Sequence, residues 1–375
     1  MSIPDWNGFR AFFPALQHRV YLNTAGGGAM SVFTAEAARR YYSEAEEHAD
    51  TYWDVWLDRT ELIRGNTARF IGAEASDVAF IQHTSLGLNI IARQFTAPVH
   101  VLALDQEFPS CTTPWLSAGH HVSFLSTPAD GTITAEKLEP WLDPDVDIFV
   151  LSSVQFANGF RAKLKEIGQL CRARDVFFVV DATQSICAYD IEVVRDHIDA
   201  LVFSGYKWAT AGYGIAVLYL NDVIRSLTTG LTGWRSAREP WLLENNRLEM
   251  TTTAVRHEMG HPIFPGIFAM GAALDLFERT GISRVSHRID ELANYLRVGV
   301  QEAGWSLRSG NHRGTTSGIC LVKAEAASEI TAKFQEQSIW VTARSGGIRV
   351  SVHAYNTRSE IEEFCSALAS LSVLR

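Results

Sequence analysis

The chain has 375 residues, 47% of them hydrophobic and 20% charged, which is enough for a large buried core and, at roughly 100–200 residues per domain, for two domains. A formal net charge of -9 argues against a broadly basic surface for nucleic acid, yet it leaves room for one arginine that binds a small acid. The five cysteines, Cys111, Cys171, Cys187, Cys320 and Cys365, are odd in number and include no C-x-x-C pair, which speaks against a disulfide framework or a structural zinc.

The first twenty residues lack the basic start, apolar centre and small-residue cleavage site of a secretory leader, and no stretch reaches the ~18 uninterrupted apolar residues of a membrane span. A cytoplasmic protein is expected, with neither membrane nor nucleic acid as partner. Residues 1–70 are expected to pack on a smaller domain or on a partner subunit. Residues 71–275 alternate short apolar runs with helical patterns, which predicts βα units and a mostly parallel sheet with helices on both faces. Strands are expected at His100–Leu104, His121–Leu125, 147–152, 176–180, 200–203 and 214–220, with helices such as 86–94 and 162–174 between them. In such a sheet ligands collect outside the carboxyl ends of the strands, so the polar residues just past these runs are the candidates. Residues 276–375 change to helices interleaved with strands, predicting a smaller α+β domain. There Ile289, Leu292, Leu296 and Val300 recur at helical spacing within 286–300. The last helix opens on the capping box Thr357-x-x-Glu360 and carries the stripe Ile361, Phe364, Leu368 and Leu371.

Two strand ends carry chemistry. One reads Val180-Asp181-Ala182-Thr183-Gln184-Ser185, and the other, twenty-odd residues later, Phe203-Ser204-Gly205-Tyr206-Lys207-Trp208. A lysine and a carboxylate at neighbouring strand ends suit pyridoxal phosphate, which needs an amine to form an imine and an anion to keep its pyridine nitrogen protonated. Taken singly, Asp181 reads equally as a helix cap and Lys207 as a solvated lysine; it is their joint placement that points to the cofactor. Upstream, Thr84 and Ser85 open a predicted helix, where free N–H groups favour a phosphate; a simple Ser/Thr N-cap is the other reading of these residues.

With these segments in place, the chain resembles the class V aminotransferases, fold-type I pyridoxal-phosphate enzymes whose relatives include cysteine desulfurases, C–S lyases, isopenicillin-N-epimerase-like proteins and, more distantly, kynureninases. The resemblance runs from Tyr21-Leu22-Asn23-Thr24-Ala25-Gly26 to Arg349-Val350-Ser351-Val352-His353 and beyond, and Asp-Ala-Thr-Gln with Ser-Gly-Tyr-Lys is its specific part. It implies that Lys207 carries the cofactor as an internal aldimine, that Asp181 pairs with the pyridine nitrogen and that Gln184 neighbours the phenolic oxygen. By the same resemblance Thr84, Ser85 and Ser204 hold the phosphate, and Phe108, in Asp105-Gln106-Glu107-Phe108-Pro109-Ser110, stacks on the cofactor ring. Gln155 and Asn158 are candidates for a contact that many relatives make through an asparagine. Arg349 would take the carboxylate of an amino-acid substrate through a two-pronged hydrogen bond, with Asn23 and Trp234 in the substrate pocket. Arg235 and Arg238 are candidates for a second acidic group, although solvated arginines are the plainer reading. His261 would reach the phosphate of the neighbouring subunit, implying a homodimer with shared active sites.

Two departures bear on the reaction. Desulfurases place a histidine where this chain has Phe108, which packs but moves no proton. They also need a catalytic cysteine in the stretch 341–348, which has none. Transamination is therefore the leading expectation, ahead of C–S lysis and then of epimerisation or a kynureninase-like hydrolysis, all of which share a quinonoid carbanion; a cofactor-sensing regulator is the non-enzymatic alternative. His257-Glu258-Met259-Gly260-His261 matches the zinc motif H-E-x-x-H letter for letter, but Gly260 and Pro262 oppose the continuous helix that brings two imidazoles to one metal, so no metal is expected.

Overall fold

Apolar runs with no polar alternation become strands covered on both faces. The computed structural model describes residues 5–128, 131–227, 230–308 and 314–371. Its strands in chain order are β1 (Val20–Tyr21), β2 (Val78–Ile81), β3 (His100–Leu104), β4 (His121–Leu125), β5 (Ile148–Ser152), β6 (Phe177–Asp181), β7 (Ala200–Ser204), β8 (Ala216–Leu220), β9 (Ile319–Lys323), β10 (Ile339–Trp340), β11 (Thr342–Arg344) and β12 (Gly347–Ser351). Seven form one sheet in the order β2-β8-β7-β6-β5-β3-β4. All run parallel except β8, which is antiparallel to both of its neighbours. Every residue of β5, β7 and β8 is buried, as expected of strands sandwiched between helical layers. Along β5, Phe149 and Leu151 enter one core while Ile148 and Val150 enter the other, the period-2 signature of a strand with two apolar faces. The register sets Ser152 opposite Asp181 and brings the ends of β5, β6 and β7 to one edge.

A smaller sheet, β11-β12-β9, is antiparallel and lies near the C-terminal end of the chain. Leu292, Leu296 and Val300 of the helix Ile282–Glu302 meet Ile361, Phe364 and Leu368 of the helix Arg358–Ser370 in the core beneath it. The capping box forms as read: Thr357 Oγ1 accepts from the Glu360 amide at 3.2 Å, and Glu360 Oε2 accepts from the Thr357 amide at 2.8 Å. Leu371 sits one residue past that helix and packs against the same core. At the other end of the chain, β1 pairs in parallel with β10 in a separate two-stranded sheet, and Asn23 bridges to Ser351 at the end of β12, so residues 20–23 lie beside the C-terminal strands. The long helix Phe264–Thr280 packs on the helices Val32–His48 and Trp53–Ile71 and continues without a break through residue 275.

Candidate active site

The helix Thr84–Ala92 starts two residues before the sequence pattern placed it, because His83 is its cap: His83 Nδ1 accepts from the Leu86 amide at 3.1 Å. Thr84 and Ser85 are thus the first two helical residues, and neither is the N-cap that the alternative reading required. Their hydroxyls turn to other hydroxyls at the strand ends. Thr84 Oγ1 meets Thr183 Oγ1 at 3.1 Å and also Ser204 Oγ, while Ser85 Oγ meets Ser110 Oγ at 2.7 Å. A ring of hydroxyls around a helix N-terminus suits a phosphate, since each can donate a proton and the exposed N–H dipoles add to the field.

Asp181 closes β6, and its carboxylate is buried. Oδ1 accepts from the Thr183 amide at 2.8 Å and Oδ2 from the Cys111 thiol at 3.8 Å. Burial raises its proton affinity, which those hydrogen bonds and the charge of Lys207 oppose. Lys207 lies three residues past β7 and is 8% exposed. Burial brings its amine down from the usual 10.5 to about 8; the Asp181 charge raises it, and the charges of Arg349 and Arg344 lower it. Its Nζ stands 5.7 Å from the centroid of the Phe108 ring and 5.3 Å from that of Tyr206. The segment above it fits only because residue 28 is glycine: a Cβ there would fall 2.0 Å from the Lys207 carbonyl oxygen, to whose neighbour, the Tyr206 carbonyl, the Gly28 amide donates at 2.8 Å.

The cleft is lined by Thr84, Ser85, Phe108, Asp181, Gln184, Ser204 and Lys207 together, seven of the residues singled out from the sequence. Gln184 is partly committed, its Nε2 donating to the Ala25 carbonyl at 3.1 Å and its Oε1 accepting from Trp208 Nε1 at 2.8 Å, so one amide N–H is left for the cleft. Phe108 meets Phe156 edge to face, with 5.4 Å between centroids. Arg349 is held behind Phe156, donating from Nη1 to its carbonyl at 3.0 Å, while its buried Nε has no hydrogen-bond partner among the described residues. Burial and the neighbouring Arg344 lower it to about 10, so it stays charged at neutral pH. Asn23 joins the same wall by accepting from Thr342 Oγ1 at 2.7 Å.

Trp234 and His261 lie outside this cleft, packed ring against ring at 5.2 Å and beside Trp53 and Trp241, with His261 exposed. The letters H-E-x-x-H part company in space. Glu258 binds Arg64 at 2.5 Å and the Phe80 amide at 2.9 Å, and His257 is buried against Gln94 and Arg256. The chain turns away at Met259, whose φ is 38°. Gln155 reaches across to the loop after β3, donating to Glu107 at 2.6 Å, while Asn158 serves its own loop, accepting from the Phe160 amide at 2.9 Å. Arg238 pairs with Glu249 at 2.7 Å on the surface, while Arg235 is buried with Nε and Nη1 unpartnered among the described residues.

Three neighbours were not foreseen. Thr183 bridges Thr84 and the Ser204 amide; its position two residues from Asp181, on the same side of an extended chain, was the available signal. Cys111 supports Asp181. Glu107 is buried beside it, accepting from the Ser152 amide at 2.8 Å and the Ser152 hydroxyl at 2.5 Å as well as from Gln155. Its hydrogen-bond donors favour the carboxylate, whereas burial and the neighbouring Asp181 charge raise its proton affinity.

An amine and a carboxylate are thus buried in one cleft beside hydroxyls at a helix start. Pyridoxal phosphate supplies what each lacks: a carbonyl for Lys207, a ring N–H for Asp181 and a phosphate for the hydroxyls. The comparisons agree. The class-V aminotransferase family model matches residues 20–364. An uncharacterized aminotransferase, YcbU of Bacillus subtilis (strain 168), is 24% identical over 97% of this chain and 98% of its own length. A probable cysteine desulfurase of Pyrococcus abyssi is 23% identical over 99% and 98%. The apo structure of a cysteine desulfurase from Thermococcus onnurineus NA1 superposes with a TM-score of 0.89 at 22% identity, covering 99% of this chain and 98% of that one, and shows the shared fold. The chain belongs to the class-V aminotransferase family of pyridoxal-phosphate enzymes and has the fold-type I architecture expected from its sequence.

Proposed function

We propose that the chain is an aminotransferase that takes its amino group from an amino acid, working as a cytoplasmic homodimer with shared active sites. The carrying observation is a cleft with Lys207 and Asp181, backed by a partly unpartnered Arg349 behind Phe156, but with no thiol among the described residues able to act as a nucleophile. Relatives bear the name cysteine desulfurase, yet stretch 341–348 has no cysteine. The cysteine that does border the site, Cys111, is fully buried, and burial holds its thiol protonated.

When bound, the cofactor supplies an electron sink that stabilises negative charge at the substrate's α-carbon. The residues of this chain do the rest. Arg349 holds the α-carboxylate in its fork and orients the α-carbon toward Lys207. Lys207, largely neutral above about 8, takes and returns the proton there. Phe108 offers only an apolar face, so proton traffic falls to Lys207. Asp181, its carboxylate fixed by Thr183 and Cys111, would hold the ring nitrogen of the cofactor, and Thr84, Ser85 and Ser204 would hold its phosphate. His261 and Trp234, exposed on an aromatic face with Trp241, would serve the partner's site in this homodimer instead of their own. Five free cysteines suit a reducing compartment, and among the described residues no helix is long and apolar enough to cross a membrane.

The test is an absorbance spectrum of the purified protein with pyridoxal phosphate, borohydride trapping with peptide mapping, and then a panel of amino acids. A visible band trapped on Lys207, followed by pyridoxamine phosphate and keto acid, supports transamination. Sulfide, or ammonia with pyruvate, reassigns the chain as a lyase. No trapped adduct, with Lys207→Ala behaving as the parent, overturns the cofactor assignment.

A further inference from the structure

The hairpin of β11 and β12 sets Thr342 opposite Arg349, and Arg344 opposite Gly347. Directly opposed residues share a face of a sheet, and so do alternate residues along one strand, so Thr342, Arg344 and Arg349 project from the same face. That face adjoins the cleft through Phe156. Thr342 bonds Asn23, and Arg349 bonds the carbonyl of Phe156, whose ring lines the cleft beside Phe108. The charge of Arg344 reaches Lys207, Arg349 and Tyr206 alike.

Among the described residues neither arginine has a carboxylate at ion-pair distance, and Arg349 Nε is buried without any partner. Two like charges on a diagonal of one hairpin repel, and among the described residues no carboxylate pairs with either. A single α-carboxylate would neutralise only one. Diagonal positions on a sheet lie about 7–8 Å apart, a span that two guanidinium side chains can close on a four- or five-carbon diacid.

We infer that Arg344 and Arg349 together select an amino acid with a second carboxylate on its side chain, Arg349 holding the α-carboxylate and Arg344 the distal one. The inference rests on the amino-acid reading above and names the substrate class. Arg344 is exposed, so its removal leaves the core intact.

The experiment titrates the cofactor-loaded protein with succinate, glutarate and propionate by calorimetry, using unreactive acids so that binding is read apart from turnover. The parent protein is expected to bind the diacids about 10- to 100-fold more tightly than propionate, the worth of one charged hydrogen-bonded pair. Arg344→Gln should bring the diacids to the level of propionate and leave propionate where it was, and Arg344→Lys should restore part of the gap. Equal affinity for diacids and propionate in the parent, or an equal loss for all three ligands in Arg344→Gln, overturns the inference. The same samples carry the visible band trapped on Lys207. A band without a diacid preference sinks only the role of Arg344, whereas a missing band sinks the cofactor reading itself.

Discussion

Lys207 works by being buried. In water its amine would be almost wholly protonated at neutral pH; in the cleft, burial lowers it to about 8. Since only the neutral amine attacks a carbonyl, covalent capture of pyridoxal phosphate should speed up as pH rises to about 8 and level off above it, followed by stopped-flow absorbance. A rate still climbing toward pH 10 would mean a solvated lysine. Glu107 illustrates the converse, a buried carboxylate whose donors favour its charge. In Glu107→Gln an N–H₂ replaces an acceptor oxygen and confronts the Ser152 or Gln155 donors, at a cost of about 1–3 kcal/mol read from a denaturant midpoint. An unchanged midpoint would show that Glu107 is already protonated and can rearrange. Lys207 and Asp181 were legible in the sequence because each follows an apolar run. Glu107, Thr183 and Arg344 were not, because their roles depend on which side chains face them from other strands.

At the level of elements, β3 and β4 were legible to the residue, since both are five-residue runs bounded by turn-forming residues. The orientation of β8 was not, because a strand buried on both faces reads the same in either direction. Nor was β2, whose four residues find their partner in β8 about 140 residues away. The helix Thr84–Ala92 was read two residues late for want of a recognised cap, as histidine seldom fills that place. Residues 26–28 form an element of a different kind, a glycine run pressed on the turn that holds Lys207. Gly28→Ala should cost about 1–3 kcal/mol of overpacking, seen as a lower thermal midpoint together with poorer retention of cofactor. Unchanged midpoint and retention would mean that the run can lift away from the lysine.

Across the whole molecule, the pairing of β1 with β10 and the contact of Gly28 with the Lys207 turn join the beginning of the chain to its end. On a ribosome, Val20 emerges long before its partner Ile339, and at roughly 5–20 residues per second the wait is on the order of 15–60 s. Once residue 220 has emerged the seven-stranded sheet has all its strands, while the wall carrying Asn23, Arg344 and Arg349 has yet to be made. Stalled nascent chains ending before residue 339 should therefore fail to retain pyridoxal phosphate, and released full-length chains should retain it; retention by the stalled chains would show that the large sheet suffices. Cofactor loading would then report completed synthesis, because a truncated product has the lysine but lacks the strands that carry Arg344 and Arg349.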